Sequence, residues 1–296
     1  MNYYEKEAMA NNIAQQIEDF DTTTQLLDNN ITALEKQVLA RQIVDSINRV
    51  RYFQMIENRD ISADRANPNS HLFDPIKAVI FYKRNGNLEE AFWLSFLIVH
   101  FGENYQSGWN LTKNFYNNMG RQPQLTWDNV TQNPNLVKEW VNTYEQNPTI
   151  KLKFGNHRKY ESISQLMAVI ESYIAFIHSN NGQLPAYAAH ADNAKQRFAN
   201  LYDDFDVYRF GRLGKFDFLS ILYKFGLAEI EANCCYLKEA TGPKAGAKYL
   251  FGNLPTSQLD INAQALADYL NIGYQEMEDA LCNWHKSTDR YEPYTG

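Results

Sequence analysis

The stretch from Ala91 to Phe101 reads Ala-Phe-Trp-Leu-Ser-Phe-Leu-Ile-Val-His-Phe, apolar almost all the way round a helix, with Asn87 ahead of it and Gly102 behind. A helix of that composition has no face to offer to water, so it predicts a central buried helix around which others must pack. Asn87-x-x-Glu90 is a capping-box variant at its start. Helical spacing recurs elsewhere: Ile31, Leu34, Val38, Leu39, Ile43, Ile47 and Val50 repeat at short helical intervals behind Asn30, and Ile163, Met167, Ile170, Ile174 and Ile177 do so behind Ser162. Both predict long amphipathic helices. Phe216 to Phe225 stops at Gly226, and Tyr274, Met277, Leu281 and Trp284 mark a last amphipathic helix. No convincing set of alternating strands is present, and the expected class is all-α.

The stretch from Tyr236 to Leu270 carries the chemistry. A turn, Ala240-Thr241-Gly242-Pro243-Lys244-Ala245-Gly246, lies between two apolar segments, and Asp260 follows 18 positions after Gly242. Glycine permits a close approach of backbone to a phosphate, and proline suits the first turn of a helix whose N–H groups then face the anion. Asp260 follows the loop Gly252-Asn253-Leu254-Pro255-Thr256 and precedes Ala263, Ala265, Leu266 and Leu270, which places it at or near a helix N-terminus. Two readings stand for it: a plain N-cap, or an anion beside a nucleotide's C1′ that stabilises the charge developing as the glycosidic bond breaks. Lys244 also has two readings. It is a nucleophile if burial or neighbouring cations lower its pKa, and otherwise a phosphate contact, as Lys248 is read to be.

The hairpin and aspartate resemble those of the DNA glycosylase superfamily, whose helix-hairpin-helix reads Gly-hydrophobic-Gly-Pro/Arg-Lys-Thr-Ala with Leu-Asp or Val-Asp about twenty residues on. This chain departs from that pattern at Ala240, at Ala245-Gly246, and in lacking the four cysteines of an iron–sulfur site beyond the hairpin. The resemblance implies a two-lobed helical fold with a cleft, one lobe carrying the hairpin and the other completed by both chain ends. It implies Asp260 and Lys244 as catalytic residues, Lys244 standing where lysine-dependent bifunctional enzymes carry their nucleophile. It further implies Thr241, Gly242, Ala245, Gly246 and Lys248 as DNA contacts.

A second resemblance spans residues 30 to 285. The segments Arg41 to Val50, Asp74-Pro75, Gly86 to Gly102 and Phe210 to Leu219 resemble the alpha-glutamyl/putrescinyl thymine pyrophosphorylase family, clade 3. That family is associated with hypermodified pyrimidines of phage DNA, and some of its relatives look like phage-defence glycosylases that remove glucosylated hydroxymethylcytosine. Double-stranded DNA carrying modified bases is therefore the implied partner. The expected activity is excision of a modified pyrimidine to leave an abasic site. A transferase acting on 5-hydroxymethylpyrimidines through a pyrophosphorylated base and a non-catalytic DNA-binding module are the alternatives.

An everted base needs flat walls and polar groups that read its edge. Trp93, His100, Tyr105 and Trp109 are candidates beside the family-like segment, although aromatic residues at helical spacing equally form a core. Gln42, Asp45 and Arg49 form a polar stripe at three- and four-residue spacing, either a solvated face or a surface for a sugar substituent. Arg209, Arg212 and Lys215 are read as phosphate contacts or as a charged loop. Between residues 205 and 250 there are seven Lys and Arg against five acids, a local excess in a chain of net charge −7. A broad basic surface is thereby excluded, and a local DNA face on an acidic body is expected.

With 296 residues, 44% of them hydrophobic, the chain can bury one large core or two modest lobes. Asp60 to Ser70, Asn118 to Asn135 and His178 to Pro185 are candidate linkers by composition. The expected organisation is one catalytic unit of two helical lobes over residues 1–296, with 236–270 as the hairpin and aspartate segment. Three cysteines form no disulfide framework, no signal peptide or spanning run is apparent, and a cytoplasmic setting away from the membrane is expected. The six histidines show no metal spacing, and no phosphate-binding glycine loop is present, so neither a metal nor a nucleotide cofactor is expected.

Overall fold

A computed structural model describes residues 3–293, and among them the chain is all-α, with fourteen α-helices and one isolated bridge between Asn104 and Gly108. The described residues fall into two compact units, 3–55 with 231–293 and 56–230. The first unit therefore joins the first and last described residues with the hairpin segment. None of the three candidate linkers separates the units. One boundary lies inside a helix and the other in the irregular stretch before Glu231, so composition carries no mark of it.

In the first unit, α1 spans Tyr3–Thr24 and α2 spans Ala33–Glu57. The start of α2 is set by a capping box at Thr32 and not by Asn30. The Glu35 amide donates to Thr32 Oγ1 at 3.2 Å, and the Thr32 amide donates back to Glu35 Oε2 at 2.8 Å.

The second unit contains α3 (Pro75–Arg84), α4 (Leu88–Phe101), α5 (Asn110–Tyr116), α6 (Trp127–Gln132), α7 (Asn135–Glu145), α8 (Leu166–Ser179), α9 (Gln183–Ala186), α10 (Ala194–Asp204) and α11 (Arg212–Lys224). As its composition requires, α4 is buried from Glu90 to Phe101. Tyr173, Phe210 and Phe218 pack against its Phe96 as stacked and edge-on rings, and its Trp93 stacks beside Phe96. Each such fully buried large side chain contributes about 1.5–3 kcal/mol by removal from water. The Asn87 side chain caps α4 by accepting from the Glu90 amide at 3.3 Å, but Glu90 does not complete the box. Its carboxylate instead accepts from Tyr116 Oη at 2.6 Å and from the Trp127 amide at 2.9 Å. Burial pushes its pKa up to about 7 despite those two donors.

The first unit is completed by α12 (Gly242–Phe251), α13 (Thr256–Tyr269) and α14 (Tyr274–Trp284). The last helix begins and ends where its apolar spacing predicts. Trp284 is fully buried, and its indole N–H donates to the Glu35 carbonyl at 3.1 Å, tying α14 to the start of α2.

Candidate functional site

The segment ahead of α12, residues 231–241, is turn and coil. Ala232, Cys235, Leu237 and Ala240 are buried anchors, while Lys238 and Glu239 are exposed at the turn. No helix stands directly before Gly242, so the second half of the hairpin is helical and the first is not. Tyr236 has φ +49°, a left-handed conformation that bulky side chains rarely adopt. Something must hold it there.

Asp260 does so. It is not an N-cap: α13 starts at Thr256 behind Pro255, and Asp260 is the fifth helical residue, on the turn beside buried Leu259 and Ala263. Its Oδ1 accepts from the Cys235 amide at 2.9 Å and its Oδ2 from the Leu237 amide at 3.0 Å, one bond on either side of Tyr236. From the other helix, Lys244 Nζ donates to the Lys238 carbonyl at 3.2 Å. Asp260 and Lys244, 16 residues apart, thus converge on the backbone of Cys235–Lys238.

The glycines of the turn serve helix packing. A Cβ on Gly242 would stand 2.7 Å from Cys282 Sγ, and one on Gly246 would stand 2.3 Å from the Leu281 carbonyl oxygen, both on α14. Neither has a positive φ. With that face against α14, α12 presents Thr241, Ala245 and Lys248 to solvent and leaves Lys244 half-buried. The Thr241 side chain makes no cap bond, so the helix start carries no side-chain cap.

The polar stripe on α2 is neither a solvated face nor an open cleft wall. Gln42 is 1% exposed, and its Nε2 donates to the Glu292 carbonyl at 2.8 Å. Asp45 accepts from Tyr291 Oη at 2.5 Å. Arg49 donates to Ser46 Oγ at 3.1 Å and lies 3.5 Å from Asp279. The chain's last described residues cover these groups.

The other candidates belong to the second unit, and they do not form one site. Trp93 is fully buried with its indole N–H on the Leu125 carbonyl at 2.9 Å, a core residue. His100 is 1% exposed and stacked on Phe96 and Phe210. Burial, followed by the Arg158 and Arg209 charges, pushes its pKa down to about 3. Tyr105 is exposed on the Asn104–Gly108 turn, and Trp109 is partly exposed just before α5. The three cations expected on phosphate are engaged within the fold. Arg209 pairs with Glu161 at 2.7 Å, Arg212 is buried with its guanidinium 4.7 Å from the Phe216 ring centre, and Lys215 donates to the Tyr202 carbonyl at 3.3 Å.

Sequence reasoning missed Tyr236, for an aromatic side chain carries no signal of left-handed backbone. It also missed the Glu35 network, although Thr32-x-x-Glu35 was a legible signature. Tyr249 Oη donates to Glu35 Oε1 at 2.5 Å, joining α12 to α2, and Thr288 Oγ1 donates to the same oxygen at 3.2 Å. Among the described residues no group of three or more His, Cys, Asp or Glu is placed to hold a metal, and no helix is long and apolar enough to cross a membrane.

Residues 34–296 match the family described as alpha-glutamyl/putrescinyl thymine pyrophosphorylase clade 3. The chain belongs to that family. The match takes in α2, all of the second unit's helices and the α12–α14 segment, so every candidate residue lies within the family's own region. No curated protein and no solved structure matches the chain.

Proposed function

We propose that this protein is a DNA glycosylase that excises a modified pyrimidine, with glucosylated 5-hydroxymethylcytosine of phage DNA as the first substrate to test. The observation that carries the reading is the convergence of Asp260 and Lys244 on the Cys235–Lys238 backbone. A carboxylate fixed by two amides is oriented before substrate arrives, which is the preorganisation that stabilises charge appearing only in the transition state. As the C1′–N bond breaks, its electron pair leaves with the base. Asp260 faces the sugar cation, and water adds at C1′ while its proton passes to the carboxylate or to the departing base. Thr241, Ala245 and Lys248, on the exposed side of α12, contact the phosphate backbone and read no sequence.

Lys244 Nζ has three donor positions, and one is used on Lys238. If it attacks C1′ in place of water, an imine forms, and borohydride traps a protein–DNA adduct that Lys244→Ala abolishes. Base release without any trapped adduct assigns Lys244 to phosphate contact alone.

The family's description names a pyrophosphorylase of thymine derivatives. That favours a second reading, transfer at the 5-hydroxymethyl group with the base retained. Mass spectrometry of phage DNA after incubation separates the two: free modified base supports excision, whereas an altered base still in the polymer refutes it in favour of transfer. Unmodified cytosine, thymine and uracil in the same duplex are expected to be released at least about a thousandfold more slowly than the substrate, because polar groups arranged for its substituent are left unpaired around them.

A further inference from the structure

The polar stripe on α2 is covered by Tyr291 and Glu292, and the fit is incomplete. Gln42 Nε2 is bonded to the Glu292 carbonyl, but among the described residues its buried Oε1 has no hydrogen-bond partner, in a side chain that is 1% exposed. Arg41 Nε is likewise buried without a partner, although the guanidinium bonds Glu7 at 2.9 Å and lies 5.8 Å from the centre of the Tyr291 ring. A contact shaped for permanence satisfies the polar groups it buries. This one leaves an acceptor and a donor stranded.

What covers the stripe has a definite chemistry. Tyr291 places a flat six-membered ring against Arg41 and directs a hydroxyl to Asp45, while a carbonyl sits on the Gln42 amide. The charges beneath are already matched: Arg41 with Glu7, and Asp45 with Lys6 at 3.9 Å. A phosphate or carboxylate ligand would upset that balance, so the site suits a neutral ring. The free acceptor beside a used donor on Gln42 matches an edge in which a carbonyl adjoins an N–H, as in uracil. One turn further along α2, an open cleft of about 400 Å³ is lined by Lys6, Asn48, Arg51 and Tyr52, and Asn48 Nδ2 is a buried donor without a partner. Lys6 lines this cleft and pairs with Asp45, which joins the two places.

We propose that Gln42 and Asp45 form a binding site for a 5-hydroxymethylpyrimidine, that the Tyr291–Glu292 segment occupies it as a built-in surrogate, and that displacement of this strap admits the base. A free hydroxymethyl takes the place of the tyrosine hydroxyl as donor to Asp45, and where a sugar is attached at that oxygen one of the sugar's own hydroxyls donates instead. The ring edge takes both positions of the Gln42 amide, and any group attached to the hydroxymethyl extends into the cleft by Asn48. This inference rests on the pyrimidine reading given above, and it identifies where the base is recognised and what excludes others.

The test is isothermal titration of the full-length protein with 5-hydroxymethyl-2′-deoxyuridine, its cytidine counterpart and thymidine. A strap closed nine-tenths of the time weakens binding about tenfold, so Tyr291→Ala is expected to tighten binding of a 5-hydroxymethyl probe by about that factor. Tyr291→Phe, which keeps the ring and loses the bond to Asp45, is expected to fall between. Adding Gln42→Leu to Tyr291→Ala is expected to return the affinity to about the wild-type level, and thymidine, without the hydroxyl, is expected to gain by the same factor but to bind at least about tenfold more weakly than the hydroxymethyl probes. The proposal is overturned if both tyrosine variants melt as the wild type does and bind the probes no more tightly. It is also overturned if thymidine binds Tyr291→Ala as tightly as the hydroxymethyl probes do. Calorimetry reads binding without base release. Tighter binding with no excision from DNA keeps the strap and sinks the glycosylase, whereas excision with unchanged binding and unchanged KM in the tyrosine variants does the reverse.

Discussion

In the first unit Asp260 and Lys244 use their charged groups to hold coil backbone around a strained tyrosine, whereas in the second unit Trp93, His100 and Glu90 bury their polar groups inside an aromatic core. Both regions contain the residue types from which active sites are made. The difference lies in what the polar atoms face. Asp260 orders two backbone amides at a half-exposed place on the fold. Glu90 is 4% exposed, and each of its oxygens is already engaged by Tyr116 or Trp127. A perturbed pKa is thus a poor guide here by itself, since Glu90 and His100 are both pushed far from their ordinary values deep in the core.

Trp93→Ala probes the core side of this contrast hardest. Loss of a fully buried indole and its bond to Leu125 is expected to lower stability by about 3–5 kcal/mol, read as a shifted denaturation midpoint. Substrate preference among the surviving folded molecules is expected to stay unchanged. An altered preference without loss of stability would move Trp93 from the core to the pocket.

Glu90 tests the same side through pH. Its folded pKa of about 7 lies above the ordinary carboxylate value, so the folded state holds a proton that the unfolded state has released. Stability is therefore fully present below about pH 4.5 and falls as pH rises through 7, by at most about 3 kcal/mol at this 4% exposed site. Glu90→Gln is expected to flatten that part of the stability profile. A wild-type profile that is flat between pH 5 and 7 refutes the assignment.

Asp260→Asn addresses the other side. Loss of the charge is expected to slow base release in single-turnover assays by about a hundredfold or more. The variant also leaves one of the Cys235 and Leu237 amides without its acceptor, at a cost of about 1–3 kcal/mol, so thermal melting must accompany the kinetics. Activity within a few-fold of wild type would leave Asp260 as a clamp on Tyr236 and nothing more.

Gly246→Ala sharpens the contrast from the packing side. The added Cβ would fall 2.3 Å from the Leu281 carbonyl oxygen, and α12 must shift from α14, for about 1–3 kcal/mol of destabilisation. DNA affinity is expected to follow the fold, with no separate loss attributable to a phosphate contact. A stable variant with weakened DNA binding would restore the phosphate role that the turn's glycine pattern suggests.

The sequence by itself determined the helical class, the burial of Ala91–Phe101 and the extent of Tyr274–Trp284, because apolar spacing is a local property that a helix converts directly into a buried face. It also marked Asp260 and Lys244 by residue type and interval. Their convergence on Cys235–Lys238 was decided only by the tertiary structure, since it depends on how α12 and α13 lie against a coil segment more than twenty residues from Asp260. The same holds for the glycines. Gly242 and Gly246 look alike in sequence whether a phosphate or α14 approaches them, and only packing shows that the neighbour is a helix. Gln42 and Asp45 were legible as a stripe because they share one helical face. That the stripe is covered by Tyr291, 246 residues beyond Asp45, follows from long-range chain return, which no local pattern of side chains encodes.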